Sequence, residues 1–289
     1  MRILGTIFAG LLGLAFCSFL NVCLSRWPGG ESIVQPRSHC RQCSRTLTWW
    51  ENIPLFSWLA LRGRCRTCRT RIGWRYPMVE LAVGALWAFQ AWSCLNSMFL
   101  PNSPAVDVVL ADAIGKMIFY WLLIALAVLD AENLWLPNAI TLPGIALGFL
   151  LTLLLSPLED SWWSVENTAA SAARDDLLAI ILAAALILLI RWLYWLVRRR
   201  EGIGLGDAKL MALLAAWLGL PGALLAFGLG IVLGAVAALV LLAIPSARTD
   251  SKSWALTKLP LGTFLCIGGI VSSLWGQPIL TAYLRWSGF

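Results

Sequence analysis

Eight apolar stretches, at about 3–24, 78–100, 114–130, 137–157, 176–197, 208–221, 223–244 and 260–282, constrain this chain more than any other feature. Crossing ~30 Å of hydrocarbon takes about 20 helical residues, and most of these stretches reach that length. Soluble domains are roughly half apolar and one quarter charged. This chain of 289 residues is 60% hydrophobic and 13% charged, which excludes a soluble globular domain. The expected fold is an all-α polytopic membrane protein with about eight transmembrane helices. The stretch at 208–221 is short and closes on Pro-Gly at 221–222, so a tight hairpin is expected there. LPNSP at 100–104, LPN at 136–138, SPLED at 156–160 and IPSARTDSK at 244–252 mark other turns. No internal repeat or low-complexity tract stands out. The first stretch continues past Cys17, has bulky Phe16 before it, and carries its basic flank afterwards. These features point to an uncleaved anchor with the N-terminus outside.

Charge sets the orientation. Residues 25–77 carry ten arginines against two acids, Glu31 and Glu51. The positive-inside rule makes that loop cytoplasmic. Threading eight helices from there places 131–136, 198–207 and 245–259 inside, with Arg198, Arg199, Arg200, Arg248, Lys252 and Lys258. The opposite loops, 101–113 and 158–175, hold Asp107, Asp112, Glu159, Asp160, Glu166 and Asp175 against Arg174 alone. Topology thus accounts for the net charge of +7, and no nucleic-acid partner is required. The basic loop is expected to meet anionic lipid.

Within that loop, Cys40 and Cys43 form one C-x-x-C and Cys65 and Cys68 a second, 21 residues on. This is one residue beyond the usual spacing of a four-thiolate zinc site. Each pair can bind the metal from one turn, and two pairs complete a tetrahedron. A reducing cytoplasm disfavours the alternative of disulfides, and the surrounding arginines favour thiolates. A closed four-sulfur site has no open position for substrate. Its metal is therefore expected to hold together a loop too small to build its own core. His39 stands beside a complete ligand set and is expected to be a bystander. Cys17, Cys23, Cys94 and Cys266 lie in apolar stretches and read as packing residues.

Few acids border the hydrocarbon. Glu80 begins the second stretch, Asp130 ends the third in LAVLDAENLWLPN, and Asp207 opens the sixth behind GIGLG. Either aspartate alone could be an interfacial charge or a helix cap. Threading puts both at the cytoplasmic face at one depth, and ionisable groups there are functional candidates. Paired carboxylates can share a proton, one activating water while the other protonates a scissile carbonyl. Glycines before Asp207 let the backbone leave helical geometry and admit a peptide strand. A nucleotide reading of GxGxG fails because no strand–helix–strand unit surrounds it. The helix dipole favours an anion at Asp207, in a first turn, over Asp130, in a last turn. That predicts Asp207 as the ionised partner.

Five segments stand in this order, SFLNVCLSRWPGGESIVQPRSHCRQC, WWENIP, RGRCRTCRTRIGWRYPMVEL, DAENLWLPNAITLP and GIGLGDAKLMALLAAWLG, and the resemblance that rests on them covers nearly the whole chain. Together they resemble the bacterial type IV prepilin peptidase family, the leader peptidase/N-methyltransferases of GxGD type. The resemblance implies a bifunctional enzyme of the bacterial inner membrane. Such enzymes remove the basic leader of prepilins or pseudopilins after a glycine on the cytoplasmic side. They then methylate the new N-terminal amine from S-adenosylmethionine. The family's catalytic aspartates fall on Asp130 and Asp207, and its zinc ligands on Cys40, Cys43, Cys65 and Cys68. One departure is visible: the family's LPD ends here in Asn138, which cannot act as a carboxylate base. The methyl donor is implied by the resemblance alone. Glu51, Asn52 and Glu80 are polar groups near the expected site, with capping or loop packing as the simpler role.

The implied organisation is a first transmembrane helix over 1–24, a zinc-binding, methyltransferase-associated domain over 25–77, and a peptidase domain over 78–289. The competing class is a transporter relaying protons or cations through the aspartates, which predicts paired repeats and broken helices near the midplane. A peptidase without methyltransferase is the other alternative, and the intact cysteine pairs argue against it.

Overall fold

The structure is a computed structural model describing residues 2–99, 105–155, 169–200, 204–243 and 259–287. The turns expected at 100–104, 156–160 and 244–252 lie outside the described residues, with Glu159, Asp160, Glu166, Arg248, Lys252 and Lys258. The described chain is helical: α1 (Arg2–Arg26), α2 (Phe56–Ala60), α3 (Arg75–Ser97), α4 (Val106–Asn133), α5 (Asn138–Leu155), α6 (Ala169–Arg198), α7 (Leu205–Ala243) and α8 (Leu261–Ser287). Among the described residues, seven of these helices are long and apolar enough to cross a bilayer.

The chain divides into two compact units, 1–125 and 126–289. In the first, α1 packs along α3. The approach is close at Gly84, where a Cβ would stand 2.7 Å from Leu14 Cδ2. Burial there joins three polar groups. Asn21 on α1 donates to Glu80 Oε1 (3.4 Å) and to the Tyr76 carbonyl (3.3 Å), both on α3. The other oxygen of Glu80 accepts from the Leu55 amide at 2.8 Å. Glu80 thus ties the loop to the first turns of α3.

The second unit is built around α7, which packs against α5, α6 and α8. Leu210 through Ala216 are buried without interruption, as expected of a helix apolar on every side. Trp217 donates its indole N–H to the Gly144 carbonyl at 2.9 Å, fastening α7 to α5. The two stretches read as separate helices at 208–221 and 223–244 run into one 39-residue element. At about 1.5 Å per residue its helical stretches add up to ~58 Å. The continuity fails at Gly219, whose φ of 66° and ψ of 176° are non-helical. Left-handed φ favours glycine. Pro221, just beyond, suits the first turn of the following stretch, where its missing N–H costs nothing.

Candidate active site and metal centre

Asp130 lies near the C-terminal end of α4 and is 6% exposed. The helix stops four residues on: Leu134 takes a φ of 50° and returns its N–H to the Asp130 carbonyl at 2.9 Å. The segment after it carries Leu136 and Asn138 towards α7. Asp207 lies in the first turn of α7 and is 9% exposed. Its Oδ2 accepts the Gly204 N–H at 3.1 Å, a backbone group just ahead of the helix.

Asp130 is held from a helix that local sequence does not connect to it. Its Oδ2 accepts the Thr263 amide at 2.7 Å and the Thr263 hydroxyl at 3.2 Å. Thr263 sits in the first turn of α8, whose amides have no intrahelical partner. Asp130 therefore caps α8. This alters the electrostatic expectation from the sequence: both carboxylates meet the positive end of a helix, so the dipole no longer sets Asp207 apart. Neither carboxylate has an ion-pair partner among the described residues. Glu132, by contrast, is exposed.

Two glycines shape the space around the pair. A Cβ on Gly262 would stand 2.9 Å from the Asp130 carboxyl carbon and 3.2 Å from Leu136 Cδ1. A Cβ on Gly206 would meet the same Leu136 atom at 3.1 Å. Leu136 thus fills a notch between the starts of α7 and α8. Lys209 donates to Asn138 Oδ1 at 2.6 Å, giving both residues a structural partner. Asparagine keeps the hydrogen bond but leaves the ammonium charge uncompensated.

Gly262 and Thr263 are the residues that sequence reasoning missed. The only signal for them is Gly-Thr at the reopening of an apolar stretch, a plausible helix start.

In the first unit the four cysteines converge. The Sγ atoms of Cys40, Cys43, Cys65 and Cys68 all lie within 4.8 Å of one another, with Cys40 and Cys68 at 3.7 Å. Zinc–sulfur bonds of about 2.3 Å place tetrahedral thiolates about 3.8 Å apart, so the set fits such an ion.

Each pair sits in a knuckle, and the two knuckles are copies. The Cys40 amide donates to the Arg45 carbonyl and the Cys65 amide to that of Thr70, both at 2.9 Å. The Leu47 amide bonds back to Ser38 and that of Ile72 to Gly63. Ser44 and Arg69, each four residues after the first cysteine, both adopt left-handed φ (55° and 59°). CRQC and CRTC are therefore an internal structural repeat, although no repeat stands out in the sequence.

Thr70 backbone and hydroxyl groups pull the Cys68 thiol down to about 6. Backbone N–H groups of Cys68 and Thr67 lower Cys65. Both effects favour thiolate at Cys65 and Cys68, whereas the Cys43 thiol is raised to about 11. His39 is not in the cluster; its Nδ1 lies 3.0 Å from the Arg37 carbonyl oxygen. Glu51 is also structural. Its Oε1 accepts from Arg45, and its Oε2 from the Thr48 amide (2.9 Å) and hydroxyl (2.7 Å). The Arg45 hydrogen bond is the main reason its carboxyl falls to about 2.

Fold and site together define a class: a helical membrane protein with a buried aspartate pair among helix ends and a four-thiol loop that could hold a metal ion. Residues 11–94 match the model of the Bacterial Peptidase A24 N-terminal domain, and residues 117–239 that of the Type IV leader peptidase family. The first match contains all four cysteines and the second both aspartates.

Proteins named prepilin leader peptidase/N-methyltransferase are similar along nearly the whole chain. That of Stutzerimonas stutzeri is 32% identical over 96% of this chain and 93% of its own length. The Pseudomonas aeruginosa protein is 32% identical over 96% and 93%. The protein from Burkholderia pseudomallei strain 1026b is 33% identical over 94% and 85%. The chain belongs to the type IV leader peptidase family. No solved structure matches it.

Proposed function

We propose that this chain is a prepilin leader peptidase and N-methyltransferase in which Asp130 and Asp207 cut the leader. One carboxylate, ionised, takes a proton from the attacking water. The other, protonated, donates to the scissile carbonyl; as the diol collapses, the first passes the water's proton to the leaving amine and the second recovers its own from the diol hydroxyl. No covalent intermediate is needed. Thr263 fixes the orientation of Asp130 and the Gly204 amide that of Asp207. The observation that carries this reading is the pair itself: two buried carboxylates, each held by N–H groups at a helix start, the two helix starts meeting at Leu136, and neither ion-paired among the described residues.

The four cysteines would hold Zn2+, which supplies a structural crosslink between the two knuckles. The methyl donor is S-adenosylmethionine, whose methyl passes to the amine freed by cleavage. The substrate is a type IV prepilin or a related pseudopilin. At about twice the hydrocarbon thickness, α7 accommodates two crossings that part at Gly219, for eight in all. The arginine excess in 25–77 supports a cytoplasmic site and an outward N-terminus in the bacterial inner membrane. The domain division is 1–24, 25–77 and 78–289, the middle segment serving methyl transfer and the last proteolysis. Nothing among the described residues favours a transporter.

The test incubates purified protein with a prepilin, with and without adenosylmethionine, and reads intact mass. Leader loss in both arms and a methyl-sized gain only with the donor are expected. An uncut prepilin would overturn the proposal.

A further inference from the structure

Beside the second knuckle lies a hollow of about 610 Å3 whose charged lining is Arg62, Arg64, Arg66 and Arg69. All four side chains are exposed, and none has a carboxylate partner among the described residues. The acids of the 25–77 segment do not serve them: Glu51 is committed to Arg45, and Glu31 makes no ion pair among the described residues. Four guanidinium groups around one concavity repel each other unless an anion joins them. Their planar forks match phosphate oxygens.

The hollow has an apolar edge. On α2, Trp58 faces inward: its indole N–H reaches the Ile72 carbonyl at 3.3 Å, and its ring packs at a tilt against Trp74, centroids 4.4 Å apart. Phe56 and Leu59 face outward at 59% and 66% exposure, and Ala60 lines the hollow itself. An exposed apolar ridge beside an arginine cup is the shape of a lipid, acyl chain against the ridge and headgroup in the cup. The chain brings this surface to a bilayer in any case. α1 and α3 are both long and apolar enough to span, and the loop joins their adjacent ends.

We propose that the Arg62–Arg69 hollow binds the phosphate of an anionic phospholipid, docking the second knuckle onto the leaflet through Phe56 and Leu59. The cysteine cluster is then held at the membrane surface by lipid as well as by its two flanking helices. This inference is independent of the peptidase reading.

Hydrogen–deuterium exchange of the full-length protein in nanodiscs tests it in three arms: phosphatidylcholine alone, phosphatidylcholine with phosphatidylglycerol, and phosphatidylcholine with added inorganic phosphate. Amides of 56–69 are expected to exchange more slowly only in the phosphatidylglycerol arm. Each basic residue near an anionic surface strengthens binding about fivefold. Arg64→Gln/Arg66→Gln should therefore weaken it about 25-fold and abolish protection at the same lipid fraction. Metal content is measured alongside; if the double variant loses its metal, the wild-type arms decide. Equal exchange in both lipid arms overturns the proposal. Protection by inorganic phosphate without anionic lipid also overturns it, because the site is then one for small anions. Full protection in a metal-loaded double variant overturns the assignment to these arginines.

Discussion

Gly262→Ala asks whether Asp130 must stand where α8 holds it. The added Cβ would lie 2.9 Å from the Asp130 carboxyl carbon and Oδ2, whereas ordinary contact begins at 3.4 Å, so the carboxyl must retreat by about 0.5 Å. That movement stretches the 2.7 Å bond from the Thr263 amide without breaking it. A displacement of about 1 Å in a catalytic group costs about 100-fold, so about half that shift should cost about tenfold. The overpacking should lower stability by only about 1–3 kcal/mol, leaving an inserted protein. The matched control is Gly228→Ala in α7, where a Cβ meets nothing within 4 Å. The assay is the initial rate of leader removal by protein quantified in membranes. Methyl transfer to a pre-cleaved pilin is measured alongside and should be unchanged. A wild-type cleavage rate in Gly262→Ala, or an equal loss in Gly228→Ala, would refute the reasoning.

The remaining expectations concern the two centres separately. Thr263→Val removes the hydroxyl whose one proton is shared between the Ala127 carbonyl (2.9 Å) and Asp130 Oδ2 (3.2 Å). Cleavage should fall several-fold, and Thr263→Ser should restore it; equal loss in both variants would point to packing instead. Serine at Cys40, Cys43, Cys65 or Cys68 should release the metal and expose the loop to protease, harming methylation more than leader cleavage. Unchanged metal content in all four variants would remove the metal centre from the account. Glu51 has a folded-state pKa of about 2 against an ordinary 4.5, so its contribution is complete above 4.5 and is lost only as pH falls towards 2. The loop of Glu51→Gln should be more protease-sensitive than wild type by the same factor at about pH 5.5 and about pH 8; a deficit that disappears across that window would contradict the Arg45 pairing. Asn138→Asp should turn the Lys209 contact into an ion pair and raise thermal stability by about 0.5 kcal/mol or more, read as a higher unfolding temperature.

Features with a local chemical signature were legible in the sequence. Apolar length reveals the spans because a bilayer leaves few backbone options. Two C-x-x-C pairs reveal the cysteine cluster because each knuckle is built by its own short hydrogen bonds, and the four sulfurs converge as that spacing implies. Asp130 and Asp207 stood out as acids bordering hydrocarbon. The hidden features were long-range. Thr263 reaches Asp130 across 133 residues, and no periodicity within either helix encodes that meeting. The dipole argument failed for the same reason, since it counted each aspartate's own helix and not the one it caps. Pro-Gly at 221–222 placed the expected break two residues too far along. The break falls at Gly219, and the proline opens the second stretch of helix.

The central claim is that Asp130 and Asp207 together perform the cleavage. Asp130→Asn and Asp207→Asn each keep the shape of the side chain and remove its ability to exchange a proton. With each variant inserted at wild-type level, leader removal should fall by about a thousandfold or more, while methyl transfer to a pre-cleaved pilin continues. Substantial cleavage by either variant would contradict the account.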